Sequence, residues 1–256
     1  MIFEKTIFFI FLSLTLNAQN ITKQMCEKKG EDYIFTSKEC INLKKYNGET
    51  KGKLNIVVHG NWDEGTNILG RYAPFAENLS FETDITTVAI ALPGYSNSST
   101  NSLKSLASGK NLAFSKGYVN FLSDLVSKLK VKYNANKVTY IGHSAGCTMG
   151  INLLGTKPFL IDSLLCAGGS YSLDKKDKSS DKISAMDIIN NISRQAKIAI
   201  VYGTEDKISP AKKNIEFYNF AKNEGLNIKL VEATGANHLD LDMTDASVEA
   251  IVELVE

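Results

Sequence analysis

Lys137-Val138-Thr139-Tyr140-Ile141-Gly142-His143-Ser144-Ala145-Gly146 is the stretch whose reading decides the fold. Residues 137–141 form a short β-branched run that suits a buried strand, and Ala145–Leu154 continues with a helical pattern. Between them, Gly142-x-Ser144-x-Gly146 must turn the chain sharply from strand to helix. The apex of such a turn bears backbone strain, and a glycine on either side lets strand and helix approach one another. A serine at the apex holds its hydroxyl above the sheet, at the positive end of the following helix, where a developing anion is stabilised.

The same alternation extends in both directions. Strands are predicted at Leu54–Val58, Thr87–Leu92, Lys137–Ile141, Ser163–Ala167, Ile198–Tyr202 and Asn227–Glu232. Helices are predicted near Ile68–Leu79, Ser115–Lys132, Ala145–Leu154, Ala185–Ile192, Ala211–Asn223 and Asp245–Val255. In the second helix Val119, Leu122, Leu125, Val126 and Leu129 keep helical spacing, giving one apolar face. Strands that are apolar on both sides and separated by helices imply right-handed βαβ crossovers. The expected class is therefore α/β, a mostly parallel central sheet flanked by helices. In such sheets, ligands bind where loops leave the carboxyl ends of the strands. Those loops read His59-Gly60-Asn61-Trp62, Pro93-Gly94-Tyr95-Ser96, Gly142–Gly146, Gly203-Thr204-Glu205-Asp206 and Gly235-Ala236-Asn237-His238. They hold all three histidines of the chain.

From Lys53 to the C-terminus these motifs resemble the α/β-hydrolases of the serine esterase and lipase kind, in the order serine, acid, histidine. The resemblance implies that Ser144 is the nucleophile, Asp206 the acid and His238 the general base, with Glu205 the rival acid. On that reading activity rises as His238 loses its proton. It further implies an oxyanion hole made by the Ala145 N–H and an N–H of the loop after the first core strand, Asn61 or alternatively Trp62. The His-Gly pair of that loop is present, but the extended His-Gly-Gly-Gly form is not. His59 is expected to order its loop and His143 to pack beside the turn. Cys147 is expected to be structural, and Pro93-Gly94-Tyr95-Ser96 reads as a turn.

Composition bounds the rest. The chain has 256 residues, 43% hydrophobic and 22% charged, which excludes disordered and fibrous classes. Its 29 basic and 28 acidic residues leave a net charge of +1, so neither nucleic acid nor an anionic membrane surface is an expected partner. The apolar run from Ile7 to Leu16, with Lys5 before it and Asn17-Ala18 after it, is about half a bilayer span. It reads as a secretory signal over residues 1–18, the alternative being an uncleaved anchor. Removal of the signal leaves no stable membrane insertion, and the expected location is secreted or periplasmic. In an oxidising space Cys26 and Cys40 are placed to close a loop, while Cys147 and Cys166 are either a second pair or two buried thiols. No cofactor or metal is implied.

Residues 19–50 are set apart from a catalytic domain at 51–256. Tyr33–Thr36 and Cys40–Leu43 there form either an edge hairpin on the sheet or a small disulfide-closed appendage. The segment between Ala167 and Ile198 is where a lid is inserted in the resembled family. It is too short here for a large helical cap, and its mixed charges from Asp174 to Lys182 suit a solvated loop. A minimal lid points to small or medium soluble esters over interfacial lipolysis. The loop Ser96–Asn111, rich in serine, asparagine and glycine, is either a border of the pocket or a flexible connection. The same residues also serve peptidases, amidases, thioesterases and acyltransferases, and a catalytically silent binding module would keep the same fold.

Overall fold

Residues 20–256 are described by a computed structural model, and the expected signal at 1–18 lies outside them. The extended stretches assemble into one eight-stranded sheet. Its strands are β1 (Tyr33–Thr36), β2 (Glu39–Tyr46), β3 (Thr50–Val58), β4 (Ile85–Ile90), β5 (Lys137–His143), β6 (Ser163–Ala167), β7 (Lys197–Gly203) and β8 (Ile228–Ala233). Their spatial order is β1-β2-β4-β3-β5-β6-β7-β8. β1 and β2 pair antiparallel, as do β2 and β4, and every other neighbouring pair is parallel. The sheet is thus mostly parallel, with an antiparallel edge. Five consecutive residues of β3, Leu54–Val58, are buried, as a strand covered on both faces requires.

The helices are α1 (Lys23–Glu27), α2 (Ile68–Thr83), α3 (Lys116–Lys132), α4 (Ala145–Thr156), α5 (Ala185–Ile188), α6 (Ala211–Asn223) and α7 (Asp245–Val255). Side-chain oxygens of Asn67, Ser115 and Thr244 cap α2, α3 and α7, taking up N–H groups that the first turn leaves free. The apolar stripe expected on α3 is its buried face, with Val119, Leu122, Leu125, Val126 and Leu129 each at 0% exposure. The single helix predicted over Ala185–Ile192 is instead α5 followed by a 3₁₀ turn at Ile189–Asn191. The backbone leaves helical geometry at Ile188, where φ is −121°.

Of the two arrangements open for residues 19–50, the edge hairpin is the one found: β2 is hydrogen-bonded along β4 with Leu43 opposite Ile90 and Tyr46 opposite Thr87. The hairpin is the edge of the sheet, and a disulfide joins Cys40 on β2 to Cys26 on α1, their Cα atoms 5.5 Å apart. The first residue of β2 reaches further. Glu39, fully buried, accepts hydrogen bonds from the Ser99 and Ser102 hydroxyls and from the N–H groups of Asn101, Ser102 and Leu103. Burial alone would raise its carboxyl, but these donors outweigh it and hold the group below its ordinary 4.5. One edge carboxylate thereby organises the loop that precedes the wall of the cleft described next.

Candidate active site

Strand β5 delivers the chain to Ser144, which adopts φ 52° and ψ −114°, and α4 begins at the next residue. Such a conformation is costly for a residue with a Cβ and persists only where the surroundings hold it. Here the Ser144 N–H donates to the Ala167 carbonyl at 2.7 Å, and its own carbonyl accepts the Thr148 N–H at 3.0 Å. Two glycines allow the close approaches. A Cβ on Gly146 would run into the Val58 carbonyl and stand 2.7 Å from that of His59, both of them backbone groups that cannot move aside. A Cβ on Gly60 would stand 2.8 Å from the Ser144 Cβ, so the loop after β3 lies directly against the serine. Behind the turn, Cys147 and Cys166 are disulfide-bonded, with Cα atoms 4.6 Å apart and both residues fully buried.

Three side chains from three loops meet at this turn. His238 Nε2 is 2.9 Å from Ser144 Oγ, and His238 Nδ1 is 2.7 Å from Asp206 Oδ2. The carboxylate side chain is fully buried, and that of His238 is 12% exposed. Asp206 Oδ1 accepts the N–H groups of Ile208 and Ser209, each at 2.8 Å, which fixes the direction in which Oδ2 points. Beneath it, the Ser209 hydroxyl donates to Gly169, Asn214 donates to the Ser209 carbonyl, and Tyr171 donates to Asn214. Glu205 is exposed and stands apart from His238 Nδ1, whose acceptor is Asp206.

The loop after β3 is braced from below. His59 is completely buried. Its Nδ1–H donates to the Gly60 carbonyl at 2.7 Å and its Nε2 accepts the Leu92 N–H at 3.0 Å, a pattern that calls for the neutral ring. Burial lowers its pKa from 6.5 to about 4. The folded protein therefore keeps His59 neutral while the unfolded chain takes up a proton below 6.5. This contribution to stability is complete above pH 6.5 and is lost as the pH falls toward about 4, an interval corresponding to about 3 kcal/mol. Urea denaturation at pH 7 and pH 4 is expected to show a smaller pH loss in His59→Gln than in the parent. Equal losses would contradict the account.

Tyr95, expected only as part of a turn, is buried beneath the loop. Its hydroxyl donates to the Trp62 carbonyl at 2.7 Å, lies 3.1 Å from Asn61 Oδ1 and accepts the Trp62 N–H at 3.3 Å. Trp62 N–H is thus engaged. Among the described residues no acceptor sits on the Asn61 N–H, and the Ala145 N–H belongs to the unsatisfied first turn of α4.

A cavity of about 170 Å³ opens over Ser144 and His238. Its apolar lining is Leu106, Leu112, Ala113, Phe114 and the exposed Ile208, and its polar lining includes Thr148, Ser170 and Ser209. Apart from Ile208, this apolar wall comes from the end of the Ser96–Asn111 loop and the residues just after it. The segment 168–197 braces that wall from outside, through Ile183 N–H to the Phe114 carbonyl and Lys116 N–H to Asp181, both at 2.7 Å. A hollow of about 210 Å³ at the amino ends of the strands, between Lys53, Lys137 and Lys197, contains no serine, histidine pair. Among the described residues no three His, Cys, Asp or Glu side chains gather as a metal ion requires, and no helix is long and apolar enough to cross a membrane.

No protein-family model matches this sequence, and no curated protein does. Solved structures do match in shape. An esterase of Pyrococcus furiosus, Pf2001, is 17% identical with a TM-score of 0.66, over 87% of this chain and 90% of that one. Est1E from Butyrivibrio proteoclasticus, solved with ferulic acid bound, is 18% identical with a TM-score of 0.61, over 87% and 95%. A structure from a study of Nitrososphaera gargenis carboxylesterases is 15% identical with a TM-score of 0.60, over 86% and 96%. At these identities what is shared is the fold.

Proposed function

We propose, from the α/β-hydrolase fold of this chain and the chemistry gathered at its elbow, that the protein is a serine hydrolase. On this reading it cleaves carboxylic esters of small to medium soluble substrates through an acyl-enzyme, and acts after export. The observation that carries the reading is the continuous path from Ser144 Oγ through His238 to Asp206, at 2.9 and 2.7 Å, opening into a cavity beside two uncommitted N–H groups. Structural neighbours described as esterases and carboxylesterases point the same way. Two disulfide-bonded cysteine pairs support export.

In this mechanism Ser144 Oγ attacks the ester carbonyl carbon while its proton passes to His238 Nε2. Asp206 Oδ2 keeps the His238 proton on Nδ1 and stabilises the imidazolium that forms. Negative charge develops on the former carbonyl oxygen, within reach of the Ala145 and Asn61 N–H groups. When the C–O bond breaks, the leaving alcohol takes the proton from Nε2 and the acyl group stays on Ser144. Water then repeats the sequence, giving its proton to His238 and releasing the acid. The modest cavity and the short 168–197 segment favour compact acyl groups over long lipid chains.

Intact mass after exposure to a fluorophosphonate tests the reading. One adduct on the parent protein and none on Ser144→Ala is the expected result. No adduct on either protein would overturn it.

A further inference from the structure

His238 lies on a stretch with little regular structure between β8, which ends at Ala233, and the 3₁₀ turn at Leu241–Met243. A base on such a loop is effective only if the loop is held, since a misplacement near 1 Å costs about 10²-fold in rate. Two side chains from outside the loop hold its backbone. His143 Nε2–H donates to the His238 carbonyl at 2.7 Å. The Arg71 guanidinium donates from Nη2 to the Leu239 carbonyl at 3.0 Å, and the same nitrogen pairs with the Asp240 carboxylate.

Both holds trace to adjacent residues of one helix. Arg71 and Tyr72 follow one another on α2, and the Tyr72 hydroxyl sits 3.2 Å from His143 Nδ1. A proton on His143 Nε2 leaves Nδ1 free to accept from the Tyr72 hydroxyl. The Arg71 guanidinium also stands over the Trp62 ring, 5.1 Å from its centre, in the loop that carries the Asn61 N–H. The base loop and the oxyanion loop therefore meet on the same guanidinium. Behind it, Asp242 is buried with no hydrogen-bond partner for either carboxylate oxygen among the described residues, and burial raises its pKa. The charges that face Asp242 are those of Arg71 and Asp240, with His143 nearby.

We infer that Arg71 is a positioning residue for His238, clamping the base loop and the oxyanion loop to α2. This rests on the reading of Ser144 and His238 as nucleophile and base. A part-exposed ion pair of this kind adds little to global stability. The clamp is therefore expected to matter for turnover far more than for folding.

The test compares the parent with Arg71→Met and Arg71→Lys, using p-nitrophenyl acetate hydrolysis, thermal melting, and amide hydrogen exchange of residues 234–243 read by mass spectrometry. Arg71→Met is expected to lower kcat about 10²-fold. KM should stay within about twofold, melting should be nearly unchanged, and exchange should quicken in 234–243 but not in β5 or β7. Arg71→Lys is expected to recover part of kcat, since an ammonium reaches the same carbonyl and carboxylate but does not match the planar stacking on Trp62. Unchanged exchange, or faster exchange with parental kcat, would overturn the inference. A parent protein that neither turns over the ester nor takes a fluorophosphonate would instead overturn the serine hydrolase reading, while exchange would still report whether Arg71 holds the loop.

Discussion

Replacing His238 by alanine is expected to lower kcat for a simple ester about 10⁶-fold, the scale reached when a serine hydrolase loses its nucleophile or base. The reason lies in what remains. Ser144 keeps its place, because its strained backbone is held by the Ala167 carbonyl and by the packing of Gly60 and Gly146, none of which involves the imidazole. The Ala145 and Asn61 N–H groups remain as well. What is lost is the only acceptor within reach of the Ser144 proton: among the described residues, the hydroxyl of Ser144 meets no other base. A neutral alcohol then has to attack unaided, so the residual rate should be what binding and the oxyanion donors alone provide. The fluorophosphonate should react correspondingly slowly, since that reaction also needs a deprotonated Ser144. The variant should stay folded, as the ring occupies a cleft and is not core. Initial rates on p-nitrophenyl acetate, with a thermal melt as control, decide the matter. A loss under about tenfold in a folded variant would remove His238 from the role of base.

Most of the fold was legible in the sequence because it rests on local patterns. Runs such as Ser163–Ala167 and Ala211–Asn223 coincide with β6 and α6 to the residue, since apolar periodicity and flanking turn residues fix both ends. The edge was legible only as a choice. Tyr33–Thr36 and Cys40–Leu43 carry a strand pattern, but nothing local says that β2 lies against β4, some forty residues later in the chain. Ser144, Asp206 and His238, which the structure brings together, stood out in the sequence because each sits at a strand end with turn chemistry around it. The groups that hold them did not. Glu39, Arg71 and Tyr72 are separated by long stretches of chain from the groups they fix, and each reads in the sequence as an ordinary strand or helix residue. The pocket wall shows the same limit. Leu106 to Phe114 has no periodicity longer than two 3₁₀ turns, and its position over Ser144 comes from the Glu39 hydrogen bonds at its base and the 168–197 brace outside it.

Asp206→Asn is expected to lower kcat about 10⁴-fold with little change in KM, and the hydrogen bonds around the acid say why. Oδ1 of Asp206 accepts two backbone N–H groups, from Ile208 and Ser209. An asparagine in its place must put its carbonyl oxygen there, because the amide nitrogen offers those donors nothing. The NH₂ is thereby directed at His238 Nδ1, where it can only donate. His238 must then carry its proton on Nε2, facing Ser144, and the base is in the wrong tautomer to take the serine proton. The substitution is nearly isosteric, so binding and folding should change little, and the loss should fall on kcat. Glu205→Gln supplies the contrast: Glu205 is exposed and is not the acceptor on His238, so its kcat should stay within about twofold of the parent. The two variants assayed side by side on one ester separate the acids. Parental kcat in Asp206→Asn, or a large loss in Glu205→Gln, would move the role of third member away from Asp206.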